Sequence, residues 1–123
     1  MPTAADVLAY LAEQHPRERA LAEWSRQVVL EAEPDFEERI YRGWRGLGYR
    51  HPEGGYVCGL FPKDGEVRVF FEHGQALHDV ADVFEPAGTR GRTLVVRTAD
   101  GETRRDLMRA VQSGVVFALL GRG

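Results

Sequence analysis

Apolar positions in the first third of the chain recur at helical spacing. Val7, Leu8 and Leu11 share one face, and Thr3 with Asp6 three residues later forms a capping-box start. His15 precedes Pro16, which pushes it out of the α region and ends that helix. Pro16 then suits the first turn of a second helix, whose stripe is Leu21, Trp24 and Val28. Pro34 stops it. The four-residue spacing of Phe36 and Ile40 predicts a short third helical piece over 35–41, with both side chains inward.

After Trp44 the period shortens to two. Residues 46–50 read as a first strand with Leu47 and Tyr49 on one side, and 56–61 as a second. Residues 62–65, Pro-Lys-Asp-Gly, read as a tight hairpin, because Asp-Gly supplies the positive φ such turns need. Residues 66–72 follow, with Val67, Val69 and Phe71 on one face and Arg68 and Phe70 on the other. Apolar residues on both faces predict an interior strand. An excursion over 73–86 holds a helical turn at 77–83, and a turn cluster over 88–91 leads to a last strand at 93–97. Asp100 or Thr98 caps a final helix whose stripe is Leu107, Val111, Gly114, Val115 and Ala118. Gly114 is costly in a helix, about 1 kcal/mol against Ala, and marks close packing on the sheet.

The order of helices, strands and a closing helix predicts one α+β domain over 1–123. It has an antiparallel sheet of four or five strands packed against two N-terminal helices and a C-terminal helix. A chain of 123 residues buries enough surface to fold without staples, and its single cysteine, Cys58, makes no intrachain disulfide. No apolar run approaches the roughly 20 residues of a membrane span, and 7–11 is too short for a signal-peptide core. A cytoplasmic protein is expected, with no membrane partner. The net charge of −3 argues against a non-specific nucleic-acid binder. There is no Gly-x-Ser-x-Gly elbow, phosphate loop or dinucleotide fingerprint. Cys58, mid-strand among apolar residues, reads as a small core residue and not a nucleophile.

The segments Phe70-Phe71-Glu72-His73-Gly74 to Leu77, Gly88-Thr89-Arg90 with Arg92, and Arg97-Thr98 with Asp100 resemble the YdhG-like family. These are small bacterial domains, mostly of unknown function. The N-terminal helix pair, the proline-acid segment at 33–38 and Tyr41 fit as well. Where that family has a Met-Pro pair, this chain has Trp44 and Arg45. The resemblance implies an α+β fold related in shape to frataxin, and some relatives are described as intracellular iron chaperones.

Two sets of side chains are candidates for chemistry. Glu31, Glu33, Asp35, Glu37 and Glu38 place five carboxylates within eight residues, and iron favours oxygen ligands. Frataxin-like proteins use such a ridge, so the resemblance implies a weakly bound iron ion with His73 as a distant auxiliary. No other cofactor is expected. The second set is an aromatic and arginine surface of Trp44, Tyr49, Arg90 and Arg97. His73 and His78 stand five apart, which is wrong for one helix face, and no second cysteine completes a zinc pattern. No nucleophile–base pair is legible, so an enzyme is not expected. The first reading is therefore an iron-binding or iron-delivering protein. The alternative is a non-catalytic module, monomer or homodimer, that takes a protein or small ligand on the aromatic and arginine surface.

Overall fold

A computed structural model describes residues 1–85 and 91–121. Helix α1 (Ala4–Ala12) starts at Thr3, whose hydroxyl accepts the Asp6 N–H while the Asp6 carboxylate accepts the Thr3 N–H. Helix α2 (Pro16–Ala32) opens on Pro16. Five strands follow, β1 (Glu37–Tyr41), β2 (Gly46–His51), β3 (Gly55–Lys63), β4 (Glu66–Phe71) and β5 (Arg92–Val96). All pairs are antiparallel, in the order β1-β2-β3-β4-β5. Two 3₁₀ turns, Gly74–Ala76 and His78–Val83, lie between β4 and β5. Helix α3 (Gly101–Leu120) closes the chain and is capped by Asp100, whose carboxylate accepts the Thr103 N–H at 2.8 Å. These bonds, with one from the Thr98 hydroxyl, hold the Asp100 carboxyl down at about 2. No helix among the described residues is long and apolar enough to cross a membrane.

The expected α+β architecture is therefore present, with one correction. Residues 35–41 do not form a helix. Glu37–Tyr41 is an edge strand with Ile40 opposite Leu47. Spacing of four is compatible with period two as well as with a helical face, so Phe36 and Ile40 point inward either way. The unpaired edge of β2 decides the matter, because a strand satisfies its backbone groups and a helix does not. Residues 46–50 thus belong to the second strand rather than the first.

Alternation sets the layers. Leu47, Tyr49, Cys58, Leu60, Val67, Val69, Phe71, Leu94 and Val96 face inward and are buried. Helices α2 and α3 pack together over β3, and α2 also reaches β4. Gly114 allows this seat: a Cβ there would lie 2.9 Å from Val57 Cγ1. The β3–β4 hairpin turns on Asp64 and Gly65, both at positive φ. Arg68 and Phe70 on β4, and their neighbours on β3, face the other side, which no described helix covers.

Candidate functional site

The acidic run does not form a ridge. Helix, turn and strand direct its five carboxylates to different places. Glu31, in the last turn of α2, pairs with Arg104 of α3. Period two in β1 sends Glu37 and Glu38 to opposite faces of the sheet. Glu37 lies 3.9 Å from Arg50 Nε on the solvent side. Glu38 faces inward, where it accepts two hydrogen bonds from the Arg26 guanidinium and one from the Tyr49 hydroxyl, each 2.8 Å. That fork raises the Arg26 pKa, and burial followed by the Glu38 charge raises that of Tyr49.

Glu33 and Asp35 remain together, and His51 joins them; their ligand-type atoms lie within 4.8 Å of one another. In the sequence His51 immediately precedes Pro52, a turn position with no local sign of these acids. A metal would have to use its Nε2, which faces Glu33 Oε1 at 3.8 Å. However, Nδ1 accepts the Glu53 N–H at 3.1 Å and the Gly54 N–H at 3.3 Å. A neutral imidazole whose Nδ1 accepts carries its proton on Nε2, so that nitrogen turns an N–H and not a lone pair toward Glu33. Glu33 also accepts the Asp35 N–H at 3.0 Å. The donor set available to iron is thus two carboxylates without the histidine.

The aromatic and arginine candidates are also separated. Tyr49 is fully buried against Phe36 and Cys58, not on a surface. Trp44 sits on the β1–β2 loop, 75% exposed, with its ring 5.9 Å from Tyr41. Arg97 follows β5 at the opposite edge of the sheet and pairs with Glu66 and Glu85. Arg90 lies outside the described residues, as do Gly88 and Thr89. His73 is half-exposed, 3.9 Å from Glu72, with its ring 5.3 Å from Phe117. His73, His78 and Glu72 line one pocket of about 290 Å³. Among the described residues that line it there is no nucleophile, and burial raises the Cys58 thiol pKa far above the range where a thiolate forms.

What the strands do bring together is an aromatic surface on the open face of the sheet. Gly48 pairs with Gly59 across β2 and β3. A side chain on Gly48 would overlap the Tyr41 ring, and one on Gly59 would meet Tyr56 and Phe61. The missing side chains let these rings lie across the strands, the arrangement by which aromatics cover glycines in sheets. Phe70, 37% exposed, extends the surface over Gly91. Arg39, Arg50 and Arg68 border it, and Arg39 has no ion pair among the described residues. The signal for this surface in the sequence is the alternation of Gly46 and Gly48 with Leu47 and Tyr49, and of Arg68 and Phe70 with Val67 and Val69.

Together these features define a small α+β domain with an aromatic and arginine surface on the sheet face that no described helix covers. No family model matches the sequence, and no curated protein matches it. Among solved structures, it is similar to YdhG of Bacillus subtilis, a protein of the DUF1801 family, at 16% identity and a TM-score of 0.61. The match covers 93% of this chain and 88% of that one. The chain therefore has the YdhG-like fold that its sequence resemblance implied.

Proposed function

We propose that this protein is a non-catalytic binding module that docks a protein partner on the open face of its sheet. The observation that carries this reading is the continuous surface of Tyr41, Tyr56, Phe61 and Phe70, bordered by arginines and covered by no helix among the described residues. Aromatic and arginine side chains are the types enriched at protein interfaces, since each buries large area with few rotamers to fix. Its acids are too few to make the surface repel an anionic partner: Glu37 and Glu66 each lie beside an arginine. A photo-crosslinking residue placed at Phe70 should yield a discrete adduct in the cells that express the protein. The same residue at Arg105, on the exposed side of α3, should not. An adduct with a second copy would make the partner this chain itself. No adduct from position 70 rejects the reading.

Iron delivery, which the resemblance to YdhG-like proteins suggests, is the second reading. Glu33 and Asp35 support it, as the two neighbouring carboxylates of the run without an arginine partner. Anaerobic calorimetry should then show ferrous ion binding that Glu33→Gln abolishes and Glu37→Gln leaves unchanged. Absence of binding heat ends this reading.

A further inference from the structure

We propose that the cavity at the β1–β2 loop is a small-ligand site for a planar aromatic anion, such as an aryl carboxylate, sulfonate or phosphate. The cavity holds about 480 Å³, within the roughly 300–1,000 Å³ of small-molecule sites. Trp44 and Phe61 supply aromatic surface, and Arg45 and Lys63 supply charge. This site shares Phe61 with the docking face but rests on a different observation, a cavity whose floor is the end of the β3–β4 hairpin and whose wall is the β1–β2 loop.

Three features point to a ligand. Trp44 is 75% exposed, far more than such a ring needs if it serves only packing. Tyr41 lies against it, and the rest of the indole is left to solvent. Second, neither the Arg45 guanidinium nor the Lys63 ammonium makes a hydrogen bond or ion pair among the described residues, whereas most other arginines around the sheet are paired. The acids in the lining are differently placed. Glu18 accepts the Gly65 N–H at 3.0 Å, and Arg17 donates to the carbonyl of the same glycine, so the Glu18 carboxylate is tied to the hairpin turn rather than to Arg45 or Lys63. Asp64 forms the hairpin turn. Third, Arg45 is held at φ 58°, a left-handed backbone that is unfavourable for a non-glycine residue. Glycine would relieve that cost. Arginine keeps a cation at the cavity instead.

An aromatic ring entering this space contacts Trp44 and Phe61, while its anionic group takes the guanidinium of Arg45 and the ammonium of Lys63. The ligand must carry both parts. A neutral ring gains only the aromatic contact, and a small inorganic anion gains only the charge.

Naphthalene-2-sulfonate, titrated into the whole protein and followed by the Trp44 indole N–H resonance and by calorimetry, tests this. Saturable one-to-one binding is expected. The neutral naphthalene-2-sulfonamide should bind about tenfold more weakly, the equivalent of one lost charge-assisted hydrogen bond. The double variant Arg45→Gln/Lys63→Gln should lose about the same factor for the sulfonate and nothing for the sulfonamide. Trp44→Ala should weaken both ligands, and Phe70→Ser neither. Equal affinity for the two ligands, binding unchanged in Trp44→Ala, or no saturable binding overturns the proposal. Phe70→Ser lies in the docking face but outside the cavity, so loss of the crosslinked partner and loss of this ligand are separable.

Discussion

Glu38→Gln lowers the stability of the protein by about 3 kcal/mol, whereas Glu37→Gln changes it by less than about 0.5 kcal/mol. The two residues are neighbours in sequence and chemically identical. They differ because strand β1 turns one toward the core and one toward solvent. The Glu38 and Arg26 side chains are only 12% and 14% exposed. Glutamine keeps one acceptor oxygen but presents an amide to the guanidinium in place of the second. It also removes the negative charge, leaving Arg26 charged and largely out of water. The Tyr49 hydroxyl, buried in the same cluster, competes for the remaining acceptor. Glu37 forms a long contact at 3.9 Å with Arg50 in solvent, the kind of pair worth little. Denaturant titration of both variants reads the difference as a shift in midpoint at constant slope. Equal, small effects would show that Glu38 is a surface carboxylate, and the burial of the Arg26–Glu38–Tyr49 cluster would be wrong.

Alkaline conditions unfold the protein through groups that the core keeps protonated. Burial raises the pKa of Cys58 and Tyr49 in the core, and partial burial that of Tyr56 on the open face, above their ordinary values. The folded chain therefore holds protons that the unfolded chain releases, from about pH 8.5 for the thiol and about pH 10 for the phenols. Above those values the unfolded state binds fewer protons, so stability falls as pH rises. Each fully buried group contributes about 1.4 kcal/mol per pH unit, so Cys58 and Tyr49 together remove about 4 to 5 kcal/mol by pH 11. That is a large part of the roughly 5–15 kcal/mol by which domains are stable. Unfolding free energies measured at pH 8, 9.5 and 11 should show the decline beginning before pH 10. In Cys58→Ala the early part should disappear while the part above pH 10 remains. A stability that stays level to pH 11 would contradict the burial of both groups.

These two results bear on how the acidic run is understood. A reading by proximity in sequence treats five carboxylates as one site. The fold assigns Glu31 to Arg104, Glu38 to Arg26 and Tyr49, Glu37 to the outer face beside Arg50, and Glu33 to His51 at the end of β2. Their common role is to fasten the end of α2 and the edge strand to α3, to the core and to the end of β2. Only Asp35 has no such attachment through its carboxylate among the described residues.

Local rules read directly from residues account for most of the fold. The Thr3–Asp6 box, Pro16 at a helix start, the Asp64-Gly65 turn and the Asp100 cap each act within four residues, so sequence determines them. The inward set Leu47, Tyr49, Val67, Val69 and Phe71 follows from alternation, and Gly114 against the sheet follows from its cost in a helix. Tertiary structure decided what depends on distant partners. The 35–41 segment became a strand because β2 offered an unpaired edge, a fact no local spacing contains. His51, the last residue of β2, met Glu33 just beyond α2, and Gly48 met Gly59 across two strands, so the rings that lie over them form one surface only when the register is set. Trp44, Arg45, Phe61 and Lys63 line one cavity for the same reason: one pair sits on the β1–β2 loop, the other near the end of β3, and sheet pairing sets them together.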